Sequence, residues 1–115
     1  MTLSEEINGQ VSILVLRGRF DQEGAKVFWE KITKILAGGA RHILLDFTEV
    51  TYISSAGLRQ LVLAGKQLAS AGGTMVLAGV TGPVREVFQI CNMESVFTVR
   101  TTRAESLNLF PPSAA

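Results

Sequence analysis

The residues best placed for chemistry in this 115-residue chain are the hydroxyl side chains of one short segment. Thr48, Thr51, Ser54 and Ser55 follow an apolar run and precede a helical pattern of apolar residues. In open α/β sheets, ligands and switches collect where the carboxyl end of a strand leads into a helix. A hydroxyl there can cap the helix, since its oxygen accepts a hydrogen bond from an early helical amide. It can also carry a phosphate, which free backbone amides and the positive end of the helix dipole would stabilise.

A phosphate in this segment would act on binding rather than on folding. It brings roughly 1.5 to 2 negative charges, and an exposed helix terminus returns only about 0.3 to 1 kcal/mol. The stability of the fold therefore changes little. If a partner buried the same spot, an unpaired charge would cost several kcal/mol, enough to change an affinity by orders of magnitude. The segment is therefore either a simple helix cap or a phosphoacceptor that controls association.

Other reactive side chains do not assemble a catalytic site. His42 is the single histidine and lies in a run that looks like a buried strand, so we interpret it as structural rather than as a general base. Cys91, the single cysteine, has the spacing of a packed thiol on the apolar face of a helix. Asp46 is predicted to end a strand and Glu49 to lie in the following loop, with structural turn roles. No stretch matches the glycine-rich loops that bind nucleotide phosphates. The sequence predicts no enzyme, no metal site and no cofactor.

Composition excludes several further classes of function. The length suits one domain, and 47% hydrophobic with 18% charged residues is typical of a chain that folds by itself. A formal charge of +1 argues against nucleic-acid binding, which normally needs a strongly basic face. No apolar run approaches the roughly 20 residues that span a bilayer, and the amino terminus lacks the pattern of a secretory signal. A single cysteine cannot form an internal disulfide, and we expect a cytoplasmic protein without direct membrane insertion.

The elements that position the hydroxyl segment follow from hydrophobic spacing and turn residues. Asn8-Gly9 predicts a hairpin with a two-residue type I′ turn, and Asp21 is expected to cap the first helix. Thr81 is a candidate cap for a third helix, and Thr102 with Glu105 has the spacing of a capping box. The predicted strands cover about 3–7, 11–16, 42–47, 74–78 and 97–100, and the helices about 21–37, 56–71, from 81 onward, and 102–109.

These elements predict an α/β fold of the order ββαβαβαβα. Right-handed crossovers after the hairpin place the parallel strands in one mixed, mostly parallel sheet with helices packed on it. We assign residues 1–110 to this single domain. The small-residue tail at 111–115 begins with Pro111-Pro112, and we expect it to be mobile.

The hydroxyl segment resembles the signature of the STAS domain family, in particular its anti-sigma factor antagonists. The resemblance covers most of the chain. Gly-Arg-Phe-Asp at 18–21 looks like the turn before the family's first helix. Residues 72–77 resemble its glycine turn into a later strand, and residues 104–107 its closing helix. Only the stretch from 46 to 58 is specific, and the resemblance implies a STAS-like domain.

The resemblance also implies a switch and a set of partners. In the family, a serine or threonine of this loop is phosphorylated by an anti-sigma factor that is a serine kinase of the histidine-kinase-like ATPase type. A PP2C-type phosphatase removes the phosphate, and the unphosphorylated form binds the anti-sigma factor. Compared with the Asp-Ser-Ser-Gly version of the motif, Ser54 occupies the aspartate position and Ala56 that of the second hydroxyl residue. The expected acceptor is therefore Ser55, with Ser54 as the second choice.

The family's binding surface, carried over by position, implies partner contacts from Asp21, Gly57, Leu58 and Arg59, together with the acceptor serine. Leu63 lies off the main apolar stripe of its helix, and we interpret it as part of a wide buried face rather than as an exposed contact. An alternative function is a non-phosphorylated STAS accessory subunit of an ABC-type membrane transporter. The sequence leaves a homodimer open.

Overall fold

The computed structural model describes residues 1–110 and places five strands in one sheet, in the order β1-β2-β3-β4-β5. The predicted tail at 111–115 lies outside the described residues. β1 is antiparallel to β2, and the other neighbouring strands are parallel, so the predicted mixed sheet is confirmed. The elements are β1 (Thr2–Asn8), β2 (Val11–Phe20), α1 (Gln22–Ala37), β3 (His42–Ile53), α2 (Ser55–Ser70), β4 (Thr74–Ala78), α3 (Gly82–Ile90), a 3-10 turn (Met93–Ser95), β5 (Thr98–Arg100) and α4 (Arg103–Leu107).

Three helices pack on one face of this sheet because each crossover leads to the next strand in the same direction and with the same hand. Apolar residues of α1, α2 and α3 form one cluster with alternate residues of the strands. Its largest fully buried members include Phe20, Phe28, Phe47 and Phe88. Ring centroids 5.2 to 6.1 Å apart link the four in series, so aromatic contacts run from β2 and α1 through β3 to α3. None of the helices among residues 1–110 has the length and apolarity needed to cross a bilayer.

The second face of the sheet is covered by α4. Arg103 at the start of this helix binds Glu6 of β1 at 3.2 Å and Asp46 of β3 at 3.0 Å. Leu107 and Phe110 lie over an apolar cluster of strand residues. These strand residues are Val11, Ile13, Val15, Leu44, Val76 and Ala78. Ion pairs therefore hold the first residue of α4, and apolar contacts of Leu107 and of Phe110, three residues after the helix, close this face.

The hairpin is present, but its predicted type I′ turn is wrong. The last paired residues are Asn8 and Val11, so the turn is formed by Gly9 and Gln10. Gly9 has a φ of 60°, whereas neither Asn8 nor Gln10 has a positive φ. A type I′ turn needs positive φ at both central residues, while glycine at the first position alone is the pattern of type II′.

Strand β3 is much longer than predicted and continues to Ile53 instead of ending near Phe47. Its second half pairs with the end of β2, up to the pair Phe20 and Ile53, through two register shifts. These irregularities break the alternation of buried and exposed residues, which is why the polar second half resembles a loop in the sequence. Only Ser54 separates β3 from α2.

Asp46 and Glu49 are consequently strand residues, and the prediction of a strand end and a loop is wrong for both. Asp46 accepts hydrogen bonds from Arg103 at 3.0 Å and from the hydroxyl of Thr48 at 2.6 Å. Glu49 pairs with Arg17 of β2 at 2.8 Å. Both cations come from distant parts of the chain, so no local pattern could reveal them.

Cys91 is exposed and follows the last residue of α3, so the predicted burial of its thiol is wrong. The helix ends one residue earlier than the apolar spacing suggests. Val84 and Phe88 are the buried residues of this helix. His42 is half-buried at the start of β3, with its ring edge-on to Phe110 at a centroid distance of 6.0 Å.

Candidate functional site

The two serines at the junction of β3 and α2 have different roles in the structure. Ser54 is the N-cap residue of α2, with an extended backbone at φ −95° and ψ 172°. Its hydroxyl oxygen accepts a hydrogen bond from the amide of Gly57 at 3.2 Å and donates one to the carbonyl of Phe20 at 3.4 Å. Its amide also donates to Phe20, at 3.0 Å. The Ser54 side chain is thus engaged in holding the helix on β2.

Ser55 is the first residue of α2, and its side chain is exposed. No hydrogen bond to its hydroxyl occurs within residues 1–110. Ser55 and Ala56 occupy the first two helical positions, whose amides have no intrahelical acceptor because no earlier turn precedes them. The first turn of α2 contains no acidic residue. The hydroxyl of Ser55 is therefore free and lies at a helix end where negative charge is favoured.

Gly57 brings the start of α2 into close contact with β2. A Cβ atom at this position would overlap the carbonyl oxygen of Phe20 and lie 2.7 Å from its ring atom Cδ1 and 3.0 Å from Cγ1 of Ile53. Only glycine permits this approach. Gly57 itself is buried, so the structure places this predicted contact residue beneath the surface, where it fixes the position of Ser55.

Asp21 lies at the same edge of the sheet, directly after Phe20. Its Oδ1 accepts a hydrogen bond from the amide of Gly24 at 3.0 Å and so caps α1, as predicted. That backbone hydrogen bond is the main reason why the pKa of Asp21 lies below its ordinary value, and Arg19 nearby lowers it further. α1 and α2 therefore begin at the paired ends of β2 and β3, α1 with a carboxylate cap and α2 with a hydroxyl cap.

A stacked pair of side chains flanks this edge and was missed by reasoning from the sequence. The guanidinium carbon of Arg19 lies 4.2 Å from the ring centroid of Tyr52, and Arg19 Nε lies 3.8 Å from Asp21 Oδ2. Arg19 and Tyr52 are paired across β2 and β3, and Tyr52 is partly exposed. In the sequence, the only signal for this stacked pair is Tyr52, an aromatic residue within the hydroxyl-rich segment.

The remaining predicted contacts lie along α2. Leu58 is half-buried and packs against the main core, whereas Arg59 is exposed and forms no ion pair within the described residues. Leu63 is 42% exposed, so its interpretation as a buried residue is wrong. It lies at the rim of the apolar stripe, because the buried positions of the helix are Gly57, Leu61, Ala64 and Leu68. The exposed positions Ser55, Arg59 and Leu63 follow each other at intervals of four and share one face.

The sheet, the serine junction and the closing helix together match a known family. The family model described as the STAS domain matches residues 3–106. The chain belongs to the STAS domain family. BtrV of Bordetella bronchiseptica, which is named as an anti-sigma factor antagonist, is 34% identical over 106 residues, or 92% of this chain and 90% of BtrV. The predicted family is thereby confirmed.

Solved structures confirm the STAS fold. The structure of an anti-sigma factor antagonist from Thermotoga maritima superimposes with a TM-score of 0.87, at 24% identity, over 92% of each chain. SpoIIAA from Bacillus, solved in its phosphorylated form, superimposes with a TM-score of 0.72, at 19% identity, over 93% of this STAS chain and 97% of SpoIIAA. The order and direction of the five strands are thus those of a STAS domain.

Proposed function

We propose that this STAS domain is an anti-sigma factor antagonist of a partner-switching system in which Ser55 is the switch. The unphosphorylated form binds an anti-sigma factor that is also a serine kinase of the histidine-kinase-like ATPase type. Phosphorylation of Ser55 releases that partner, and a PP2C-type phosphatase restores the binding form. The relative BtrV is named as an anti-sigma factor antagonist, which supports the antagonist role. The proposed location is the cytoplasm.

The observation that supports Ser55 most is the contrast with its neighbour. The Ser54 hydroxyl caps α2 and contacts the Phe20 carbonyl, so a phosphate there would remove a cap and displace the helix start from β2. Ser55 is exposed and offers a hydroxyl without a hydrogen-bond partner among residues 1–110. A kinase can therefore reach Ser55 without unfolding the helix, and this favours it over Ser54.

The exposed surface around Ser55 supports the proposal that the charge of a phosphate releases the partner. Ser55, Arg59 and Leu63 form an exposed stripe along α2. Asp21 at the start of α1 directly follows Phe20, whose carbonyl Ser54 contacts. A partner that covers this surface would bury the phosphate. An uncompensated charge in an interface costs several kcal/mol, which lowers affinity by orders of magnitude.

Phosphorylation by a cognate kinase tests this proposal. The protein is incubated with ATP and with a cognate serine kinase of the histidine-kinase-like ATPase type, and intact mass and fragmentation spectra are recorded. One phosphate is expected on the wild type and on Thr51→Ala, and none on Ser55→Ala. A phosphate on Ser54, or phosphorylation of Ser55→Ala to the same extent as wild type, would contradict the assignment.

Binding of the same kinase separates a switch from a constitutive subunit. Ser55→Asp should lower the affinity at least tenfold in calorimetry, whereas Ser55→Asn, of similar size and without the charge, should bind nearly as wild type. Equal binding by both variants, together with co-purification with membranes, would instead indicate the transporter accessory subunit.

A further inference from the structure

Arg59 lies four residues after the proposed phosphoacceptor, which is about one turn further along the same face of α2. Residues four apart on a helix lie on the same face, with Cβ atoms about 5 to 6 Å apart. Both Ser55 and Arg59 are exposed. An arginine side chain easily spans this distance, and its planar guanidinium matches the geometry of phosphate oxygens.

Arg59 is also free to move, unlike the other arginines near this end of the molecule. Arg19 is held by the ring of Tyr52 and by Asp21. Arg17 is held by Glu49 at 2.8 Å. Within residues 1–110, Arg59 makes no ion pair and donates no side-chain hydrogen bond, so its guanidinium can reorient without breaking an existing contact.

The two helix starts at this edge differ in their charge. α1 already has Asp21 as its cap and Glu23 in its first turn. α2 has the neutral Ser54 as its cap and no acidic residue in its first turn. A negative group added to Ser55 would therefore be the first at this helix end, with the helix dipole and Arg59 acting on it together.

We propose that the side chain of Arg59 binds the phosphate of phosphorylated Ser55 within the same helix. This inference rests on the proposed function of Ser55. The phosphate then takes Arg59 away from the partner surface, so phosphorylation removes a contact as well as adding charge. Because both groups lie on one turn of a rigid helix, the pairing needs no change of backbone.

The test uses phosphoserine inserted at position 55 during translation, which makes it independent of any kinase. The second ionisation of the phosphate, ordinarily near pH 6, is followed by ³¹P NMR titration at low salt. Pairing with a cation stabilises the doubly charged form. Arg59→Gln should therefore raise the titration midpoint by roughly half a pH unit or more relative to the unsubstituted protein, since one unit corresponds to about 1.4 kcal/mol.

Lys66→Gln is the matched control. It removes one positive charge from the same helix eleven positions after Ser55, which is three turns or about 16 Å away on the same face. It should leave the midpoint unchanged, and Arg59→Lys should give an intermediate value because one point charge replaces the planar fork. If Arg59→Gln titrates like Lys66→Gln, the inference is overturned.

The two proposals fail separately in these experiments. If no kinase modifies Ser55 but the titration depends on Arg59, the proposed function fails while the helix still binds a phosphate as inferred. If Ser55 is phosphorylated and releases the partner but the titration ignores Arg59, the switch stands and the inference fails. Circular dichroism of the unphosphorylated Arg59→Gln protein should match the wild type, because the side chain is exposed.

Discussion

Ser54 and Ser55 are chemically identical neighbours, and their different surroundings decide what each can do. One hydroxyl is used inside the fold, where it satisfies an amide of the first helical turn and touches β2. The other faces solvent at the first helical position. At the scale of single residues, one of two adjacent hydroxyls is used by the fold and the other remains exposed to solvent.

Alanine substitution should separate these roles. Ser54→Ala leaves the amide of Gly57 without its cap, and it should lower the free energy of unfolding by about 1 kcal/mol, within a range of about 0.5 to 2. Ser55→Ala should change it by less than about 0.5 kcal/mol. Urea denaturation followed by circular dichroism measures both. Equal effects of the two substitutions would show that the caps have been assigned wrongly.

Gly57 sets the distance between α2 and β2. Gly57→Ala places a methyl group against the Phe20 carbonyl and ring, so we expect a loss of about 1 to 3 kcal/mol in the free energy of unfolding. Gly38→Ala is the control. A Cβ there meets its nearest atom at 3.5 Å and the backbone is right-handed, so the change should stay below about 1 kcal/mol. A neutral Gly57→Ala would mean that α2 can move away from the sheet.

At the scale of elements, ion pairs to β1 and β3 hold α4 on the second face of the sheet. Asp46 lies in the middle of β3, largely buried, and Arg103 of α4 joins it to Glu6 on the edge strand. Burial raises the pKa of Asp46, but hydrogen bonds from the hydroxyl and amide of Thr48 and from Arg103 outweigh it, so the pKa lies below its ordinary value. The hydrogen bonds that Arg103 donates to Asp46 and Glu6 raise the pKa of Arg103.

This carboxylate should make stability depend on pH in the acidic range. Because the pKa is lower in the folded state than the value of about 3.9 in unfolded chains, the unfolded state binds more protons there. The contribution is fully present above about pH 5 and is lost as the pH falls through the folded pKa. Asp46→Asn should therefore be less stable than wild type at pH 7, and the difference should shrink below about pH 4.

Denaturation at several pH values measures this difference. Arg103→Gln removes one hydrogen-bond donor of Asp46 and should show a weaker dependence on acid than the wild type. A gap between Asp46→Asn and wild type that stays constant from pH 7 to pH 3 would contradict the role given to this carboxylate.

At the scale of the whole molecule, the candidate site lies at the end of the sheet, on the exposed first turn of a helix. The first turns of α1 and α2 begin beside the last residues of β2, and a large aromatic core supports them from below. A surface of this kind can present or withhold contacts without moving its elements. We therefore expect a switch on this surface to change the charge of the surface while the backbone keeps its shape.

Nuclear magnetic resonance can test constancy of shape. With phosphoserine at position 55, backbone amide shifts should change at the start of α2, around Arg59 and at the end of β2. Amides of β4, β5 and α4 should keep their positions. Shifts spread over α4 and the second face of the sheet would indicate a global rearrangement and contradict a switch that leaves the backbone unchanged.

Much of this protein follows from the sequence by itself. Local spacing and turn residues determine the order of elements, because amphipathic periodicity and helix caps act over a few residues. The Asp21 cap forms as predicted, with a hydrogen bond of 3.0 Å, and Thr102 supplies its half of the predicted capping box at 3.1 Å. Thr81 is the N-cap residue of α3 but makes no side-chain cap hydrogen bond. The motif from 46 to 58 is sufficient to indicate the family, and Ser55, the expected phosphoacceptor, is exposed.

Tertiary structure alone decided the features that depend on distant parts of the chain. The length of β3 depends on pairing with the end of β2, and the environment of Asp46 on an arginine 57 residues away. The exposure of Cys91 and Leu63 depends on where a helix ends and how wide its buried stripe is. The stack of Arg19 on Tyr52 joins two strands. A periodic pattern reports only the local preference of the backbone, whereas these contacts arise when the strands come into register.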